Sequence, residues 1–587
     1  MEATWDLSVL YKGFDDPALR ADILAITTMT AEGQALLQAD LPQGEKLVQL
    51  VSHMEALSNK LSRAFLFCQL TLAVEAENRD AFRTLEELSA LSVDAQVFRS
   101  ACTRFIGELD GLEALIQGHE KLRQNAFVLR EAQQEAKHML PESMEKWMLR
   151  MSLSGGDAFQ KLRDQLMGTL TVDFQGQSLP LPAVRGKAYD PDPAVRKAAY
   201  EAELAAYPKV ALPMAFCLGG IKGEALTMSE ARGYADVLTQ QLAESRMDRE
   251  TLDAMFTAIR EALPDFRRYL KAKAKLLGHE GGIPFYDLFA PVGQDVQTYT
   301  IEEARALLTD AFGKAHPKMA TFIAHAFDHR WIDLYPREGK EGGAFCSENH
   351  ELRISRIMTN FVGSFSDVST LAHELGHAWH ARCLEASPLL MAQPPMPLAE
   401  TASTFNETML AQTVLETATP QRAFNILEGI LMEATQCCVD ILSRFLFESA
   451  VFEARKTHTP SVEELRQMML AAQEEAYGDG LAADVRHADM WINKGHYYTV
   501  GLHFYNFPYA FGLLFGLGVY QLYRQEGQAF LPKYDALLAY CGSDTIANVA
   551  ATVGIDVRSA AYWRSALDVV RGEIDQFVAL AEQQAAR

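Results

Sequence analysis

Three histidines and one glutamate lie close together in the segment LAHELGHAWH, residues 371–380. His373 and His377 are four residues apart, so on a helix their imidazoles point in the same direction. This spacing allows two imidazoles to bind one tetrahedral zinc ion. Glu374 can then stand beside the metal as a base and accept a proton from a water molecule that the metal makes more acidic. Because so short a motif also occurs by chance, the remaining ligand must be found elsewhere in the chain.

A zinc ion in a hydrolytic site takes three protein ligands and keeps one position open. Three glutamates follow the motif: Glu385, Glu400 and Glu407. Glu385 lies on the same helix about 12 Å beyond His377, which is too far to share the ion. The turn-rich segment 387–397 reverses the chain, and Glu400 then falls near the start of a second helix. We therefore expect Glu400 to return a carboxylate to the histidines. The competing interpretation is a pair of histidines in a polar helix interface.

Two further polar residues on these helices have expected supporting roles. Glu407 follows Glu400 by seven residues and shares its face, where it can orient a ligand histidine through the other ring nitrogen. His380 continues the face of His377 one turn further, and we expect it to support or pack against the ligands. Plainer interpretations remain, because an acid near a helix N-terminus is favoured by the helix dipole. Glu407 can equally be a solvated surface acid.

The elements that hold these residues are predicted to be mostly helical. Apolar residues recur at three- and four-residue steps in long segments such as 44–76. The clearest strand patterns, 342–346 and 352–362, precede the histidines and predict a small antiparallel ribbon. An exposed ribbon edge at 353–361 can pair with a peptide as an extra strand, although purely structural pairing is the alternative. The predicted fold class is mainly α, with a helical N-terminal domain, residues 1–195, and a C-terminal domain, residues 196–587.

Composition limits the classes of partner. The chain has 587 residues, enough for two or more subdomains. Its net charge of −23 disfavours nucleic acid and anionic membranes, which are bound by clustered Lys and Arg. The eight scattered cysteines are typical of reduced thiols, and the first residues contain no apolar stretch, so we expect no signal peptide and a cytoplasmic location. The uncharged stretch 495–523 is long enough to span a bilayer, but its polar residues and Pro508 predict a buried segment instead.

Three segments together resemble a known family: GGAFC (342–346), RIMTNFVGSFSDVSTLAHELGHAWH (356–380) and LAETASTFNE (398–407). They are similar to the core of the thimet-oligopeptidase-like zinc metallopeptidases, in particular the oligoendopeptidase F branch. The resemblance extends from about residue 189 towards the end of the chain. It implies one zinc ion per chain, with Glu374 as the catalytic base. The implied zinc ligands are His373, His377 and Glu400.

The resemblance also covers an aromatic segment, residues 496–512. It implies His496 and Tyr505 as catalytic groups and Tyr498 and Tyr509 as further substrate contacts. An imidazole or phenol donor can stabilise the negative charge that develops on a peptide carbonyl oxygen. Two extra residues separate Tyr498 from Tyr505, and Pro508 interrupts the expected helix, so the tyrosine that meets this charge stays open. The alternative for each residue is a place in an aromatic core.

The resemblance further implies a zincin-type catalytic core whose helices enclose a deep substrate channel. In such proteins the ribbon borders the cleft, which makes Ala344 and Asn360 expected substrate contacts. The predicted function is that of a zinc-dependent oligoendopeptidase that hydrolyses internal bonds of short peptides. Oligomeric state and cleavage-site preference stay open.

Two other functions are alternatives. A zinc aminopeptidase is disfavoured because 22 residues separate His377 from Glu400, more than is typical of that class, and no GAMEN-like motif is present. A non-catalytic helical binding protein is disfavoured by the intact Glu374, since a purely structural zinc site has no use for a base and closes with a fourth ligand.

Overall fold

The computed structural model describes residues 3–293 and 297–585. These residues form 26 α-helices and five short strands. The predicted mainly α class is therefore confirmed.

The elements up to residue 293 are, in chain order, α1 (Pro17–Gln38), α2 (Gln43–Val74), α3 (Arg79–Gly107), α4 (Leu112–Gly118), α5 (Glu120–Gln124), α6 (Ala126–Glu135), α7 (Glu142–Ser152), α8 (Gly156–Thr169), β1 (Thr171–Phe174), β2 (Gln177–Pro180), α9 (Leu181–Arg185), α10 (Pro193–Ala206), α11 (Ala211–Ala231), α12 (Val237–Glu244) and α13 (Arg249–Leu276). Those from residue 297 to residue 415 are α14 (Ile301–Ala315), α15 (Pro317–Asp328), β3 (Ile332–Asp333), β4 (Phe345–Asn349), β5 (Ile354–Met358), α16 (Phe365–Leu384), α17 (Met396–Ala399) and α18 (Thr401–Leu415). The remaining helices are α19 (Pro420–Thr435), α20 (Ile441–Arg455), α21 (Val462–Tyr477), α22 (Met490–Asn493), α23 (Phe507–Glu526), α24 (Leu531–Tyr540), α25 (Ile546–Ala551) and α26 (Ala560–Ala585).

The chain divides into two compact units, each assembled from three segments. Unit 1 consists of Met1–Met139, Gln297–Thr413 and Leu522–Val553. Unit 2 consists of Leu140–Val296, Val414–Gln521 and Gly554–Arg587. The predicted domain limit at residue 195 lies inside unit 2 and coincides with no limit of these compact units. A functional division at that residue stays a prediction.

The predicted ribbon is present in unit 1 as part of a three-stranded sheet with the order β3-β5-β4. β4 and β5 are antiparallel, with Phe345 opposite Met358 and Asn349 opposite Ile354. β3 adds a short parallel pairing on the other side of β5. β5 is therefore the central strand, and the prediction of a free edge at 353–361 is wrong. Among the described residues the edge strands of this sheet are β3, which has two residues, and β4, which has five.

A hydrophobic core fixes this sheet to the N-terminal helices of unit 1. Leu50, Phe67 and Phe98 belong to the same buried cluster as Met358 of β5. Burial of such side chains is worth about 1.5–3 kcal/mol each. The N-terminal helices thus support the strands that precede the histidines.

Membrane-spanning potential is limited to one pair of helices among the residues described. No single helix is long and apolar enough to cross a bilayer, whereas the bent pair Pro193–Lys209 and Ala211–Ala231 meets the length and composition criteria jointly.

Candidate metal centre

The helix that carries HELGH, α16, begins at a capping box. Ser364 is the N-cap, its hydroxyl accepts from the Asp367 backbone N–H, and the Asp367 carboxylate accepts from the N–H of Ser364. This arrangement satisfies two backbone donors that the helix start leaves unpaired. The helix then continues to Leu384, so His373 and His377 lie one turn apart on a regular helix, as the spacing predicts.

Glycine is required where α16 meets α18. A Cβ atom added at Gly376 would lie 2.6 Å from the Ala402 carbonyl oxygen and 2.6 Å from the Ser403 Cα. Any other residue would therefore push the two helices apart. The close approach is reinforced by Asn406, whose side-chain amide donates to the Ala372 carbonyl at 3.1 Å. Glu400, directly before α18, is thereby held next to the histidines.

Three ligand atoms meet at this point: Nε2 of His373, Nε2 of His377 and Oε2 of Glu400. The two nitrogens are 3.2 Å apart, and each lies 3.3 Å from the carboxylate oxygen. A tetrahedral zinc ion with ligand distances of about 2.0–2.1 Å has ligand atoms about 3.3–3.4 Å apart. The donor triangle therefore fits one face of a zinc coordination sphere. No other cluster of three His, Cys, Asp or Glu side chains with this capacity occurs in residues 3–293 and 297–585.

Neighbouring side chains orient the donors. The Nδ1 atom of His373 hydrogen-bonds a carboxylate oxygen of Glu407, which leaves Nε2 for the metal. The Ser369 hydroxyl donates to the other Glu407 oxygen at 3.4 Å. The Ser403 hydroxyl donates to Oε2 of Glu400 at 2.7 Å. The structure thus places Glu407 where the sequence predicts it.

The electrostatic environment favours a cation between these groups. Burial disfavours the charged form of His373, but hydrogen bonds to Glu400 and Glu407 raise its pKa to about 11. Burial likewise disfavours the Glu400 carboxylate, but both histidines hold its pKa well below the ordinary range. The carboxylates that stabilise a proton on His373 stabilise a divalent cation in the same way.

Glu374 differs from its neighbours because no described residue hydrogen-bonds its carboxylate. The residue is only 6% exposed. Burial raises the pKa of Glu374, and the nearby histidines oppose that shift. A carboxylate whose proton affinity is increased in this way is suited to accept a proton from water.

His380 is buried and lies outside the donor triangle. Burial lowers its pKa to about 4, so the ring is neutral at pH 7. Its Nε2 atom has no hydrogen-bond partner among the residues described. His380 is not part of the group of potential metal ligands, and its supporting role stays a prediction.

Asn360 uses its side chain within unit 1. Its amide donates to the carbonyls of Glu341 and Gly343, both at 2.9 Å. These bonds hold the turn that leads through Ala344 into β4. The amide nitrogen of Asn360 thus supports the β4 edge, and the expected contact of Asn360 with substrate stays a prediction. Ala344 directly precedes that edge, and its expected substrate contact stays a prediction.

The aromatic segment lies in unit 2, where its members differ in accessibility. Tyr498 is 1% exposed and its hydroxyl donates to the Trp491 carbonyl at 3.3 Å, so the predicted substrate contact is replaced by a place in the core. Tyr505 is half-buried, and Tyr509 is 41% exposed. Their rings meet edge to face at 5.5 Å. Pro508 does not interrupt a helix, because α23 begins at Phe507 and proline is tolerated in the first turn.

His496 is largely buried in the same segment. Burial, followed by nearby cations such as Arg444, lowers its pKa to about 3. The ring is therefore neutral at pH 7. Nε2 of His496 is buried and has no hydrogen-bond partner among the described residues.

Three residues that support the metal centre were not predicted from the sequence: Gly376, Ser403 and Ser369, which donates to Glu407. The only sequence feature that could have indicated them is a small or hydroxyl side chain one to four residues from a ligand. Contacts between two helices decide their roles, and spacing along one helix does not contain that information.

The model of the family described as peptidase family M3 matches residues 187–569, more than half of the chain. The chain belongs to peptidase family M3. A second model, described as oligopeptidase F, matches residues 108–171, and the two models thus meet between residues 171 and 187.

Several relatives match this M3 peptidase over nearly its whole length. An oligoendopeptidase F homolog of Lactococcus lactis is 22% identical over 99% of this chain and 97% of its own. A crystal structure of a Chlamydophila abortus protein described as a peptidase is 21% identical, covers 98% of both chains and has a TM-score of 0.86. Oligoendopeptidase F from Enterococcus faecium is 18% identical, covers 96% of this chain and 99% of its own, and has a TM-score of 0.71.

These matches confirm the resemblance to the oligoendopeptidase F branch and the prediction of a metalloendopeptidase. The M3 peptidase acts on oligopeptides, and its candidate metal centre is the group His373, His377 and Glu400.

Proposed function

We propose that the protein is a zinc-dependent oligoendopeptidase that hydrolyses internal bonds of short peptides, with one zinc ion per chain. The main support for the proposal is the donor triangle, with sides of 3.2, 3.3 and 3.3 Å, beside the buried Glu374, whose carboxylate has no hydrogen-bond partner in the described part of the chain. That combination leaves one coordination position open, as a catalytic rather than a structural zinc site requires.

Each residue of the centre has a separate task. His373, His377 and Glu400 hold the zinc ion. Glu407 keeps the His373 proton on Nδ1, so that Nε2 offers its lone pair to the metal. When bound, zinc acts as a Lewis acid that makes water more acidic and polarises a carbonyl group.

Glu374 is the general base in this proposal. Its carboxylate accepts the proton that water loses as it attacks the peptide carbonyl carbon, and it then delivers a proton to the leaving amine. Its burial raises the affinity for that proton. The absence of a hydrogen-bond partner among the described residues leaves the carboxylate oxygens accessible to water.

The β4 edge is the proposed holding surface for the substrate backbone. β4 pairs with β5 on one side only among the described residues, so its other side has backbone donors and acceptors that an extended peptide can use. Main-chain hydrogen bonds of this kind tolerate many side chains. We propose that Ala344, at the start of this edge, contacts substrate.

His496 and Tyr505 are the proposed donors to the developing negative charge on the carbonyl oxygen, with Tyr509 as a further contact. This part rests on the sequence resemblance of residues 496–512 and on their available donors. Nε2 of His496 has no hydrogen-bond partner within the described ranges, and Tyr505 is half-buried.

Cleavage within short peptides is proposed because relatives carry the name oligoendopeptidase F. We also propose a cytoplasmic location, since all eight cysteines are free thiols, as is usual in a reducing compartment. The net charge of −23 supports a further proposal, that neither nucleic acid nor a membrane is a partner.

The test is digestion of a mixed synthetic peptide library with wild-type protein, with chelator-treated protein and with chelator-treated protein to which zinc is returned. Mass spectrometry identifies the products, and Glu374→Gln serves as the control for contaminating peptidases. Internal cuts that chelation removes and zinc restores support the proposal. Removal of single terminal residues indicates an aminopeptidase, and an absence of zinc-dependent products indicates a binding protein; either result contradicts it.

A further inference from the structure

A buried lysine in unit 2 contacts the aromatic segment. Lys222, in α11, is 0% exposed. Its Nζ atom lies 2.5 Å from Oε1 of Glu448 in α20 and 3.1 Å from Nδ1 of His503. A buried ammonium group is costly unless it is paired, so this lysine depends on both partners. His503 lies two residues before Tyr505.

Further contacts fix the same point of the chain. The backbone N–H of His503 donates to the Gln241 side chain, in α12, at 3.0 Å. Phe452 of α20 lies 5.0 Å from the Lys222 ammonium and stacks on Phe504 at 5.3 Å. Side chains from α11, α12 and α20 therefore hold residues 503 and 504.

Phe504 adopts an unusual backbone conformation, with φ of 52°. A bulky residue in the left-handed region is strained, and such strain persists only where surrounding contacts enforce it. Tyr505 follows immediately, and α23 begins two residues later. The direction in which the Tyr505 phenol leaves the backbone is consequently set by the anchored residues before it.

Lys222 also determines the form of His503. Because the ammonium donates to Nδ1, the imidazole is the tautomer that carries its proton on Nε2. Burial, followed by the charge of Lys222, lowers the pKa of His503 well below its ordinary value. The ring is thus a neutral acceptor for Lys222.

We propose that Lys222 is a positioning residue for peptide hydrolysis: through His503 and Glu448 it holds the segment 501–506 so that the Tyr505 phenol is presented to the substrate. This inference rests on the proposed function, in which Tyr505 is a donor to the carbonyl oxygen. The competing account is a buried ion pair that contributes stability alone.

Unit 2 contains a matched control. Lys273 of α13 is also 0% exposed, with Nζ 2.5 Å from Oε1 of Glu428 and 2.9 Å from the Leu288 carbonyl oxygen. Like Lys222, it is a fully buried lysine paired with a glutamate, and the Nζ–Oε1 distance is the same in both pairs. Its hydrogen bonds reach neither His503 nor Tyr505. Lys273→Met therefore reproduces the loss of a buried ion pair without loss of the anchor.

The experiment compares Lys222→Met, Lys273→Met, Tyr505→Phe and the double variant Lys222→Met/Tyr505→Phe, each as full-length zinc-loaded protein. Kinetics on an internally quenched peptide are measured well below the melting temperature of every variant. Both lysine variants should melt earlier than wild type. Only Lys222→Met should also lose kcat, by about tenfold or more, with a smaller change in KM. The double variant should be little slower than Tyr505→Phe, because the two residues act as a unit.

A second pair of variants covers the case in which Lys222→Met does not fold. The Asn oxygen can replace Nδ1 as an acceptor for Lys222, whereas Phe keeps a ring without an acceptor. His503→Asn should therefore retain more kcat than His503→Phe. Equal kcat in these two variants would count against the inference.

The failures are distinguishable. If Tyr505→Phe is slow but Lys222→Met and Lys273→Met have equal kcat, the positioning role is overturned and the role of Tyr505 stands. If Tyr505→Phe has normal kcat, both are overturned. Fully additive losses in the double variant would also overturn the positioning role.

Discussion

Different features of the fold fix the side-chain positions of the metal centre and of the aromatic segment. At the metal centre, the regular helix α16 presents two imidazoles and a glycine contact brings α18 close enough for Glu400 to meet them. In the aromatic segment, an irregular stretch is held by buried side chains from three helices and includes Phe504 in the left-handed region. Helix periodicity therefore specifies the first region locally, whereas tertiary packing specifies the second.

The largest expected loss of activity is for a variant at the metal centre, on α16. Glu374→Gln keeps the size of the side chain but removes its ability to accept a proton. We expect kcat to fall by about 10²–10⁴, the usual contribution of general acid–base catalysis, while zinc stays bound. The measurement is single-turnover peptide cleavage together with metal analysis. Near-normal turnover would mean that another group is the base.

The comparison is sharpened by two tyrosines of the aromatic segment. Tyr505→Phe should lower kcat by about 10²–10³ with a small change in KM, since it removes one donor to the developing charge. Tyr498→Phe should cost about 1 kcal/mol of stability through loss of its bond to Trp491. Its kcat should be close to wild type. Kinetics and thermal melting are measured for both variants. Normal kcat in Tyr505→Phe together with low kcat in Tyr498→Phe would refute the assignment of Tyr505 as the donor and Tyr498 as a core residue.

The sequence predicted the metal centre better than its surroundings for a physical reason. The four-residue spacing of His373 and His377 determines their direction on any helix. Glu400 follows a reversing turn that returns it to the histidines, and the family resemblance also implies it as a ligand. Neither the histidine spacing nor the turn indicates that a glycine is needed at position 376. Its role depends on how closely α18 approaches α16. The spacing of the histidines also does not indicate that the helix begins after Ser364, where a capping box forms.

The ribbon illustrates the same limit. Its two antiparallel strands follow from β-type residues around a polar turn, and both are present. The third strand, β3, has only two residues, Ile332 and Asp333, which is too short for a sequence pattern. Its pairing makes β5 central, so that β4 is the longer edge strand of the sheet among the described residues. Similarly, nothing in the spacing of Tyr498 and Tyr505 indicated that the first enters the core and the second does not.

A smaller effect, on zinc affinity, is expected for Glu407, which hydrogen-bonds the ligand His373. Glu407→Gln weakens the acceptor for Nδ1 of His373 without removal of a ligand. Zinc affinity should fall by about 10–100-fold, as is usual for such partners of ligand histidines. Competition with a chromogenic chelator measures it. Unchanged affinity would show that the hydrogen bond from His373 does not tune the metal.

The most direct test of the central claim is zinc content per chain, measured by elemental analysis after dialysis against a dilute chelator. Wild-type protein and Glu374→Gln should each retain one zinc ion, because neither lacks a ligand. His373→Ala, His377→Ala and Glu400→Ala should each retain far less, since two donors alone leave the coordination incomplete. Full zinc in both His373→Ala and His377→Ala would contradict the assignment of this donor triangle as the metal centre.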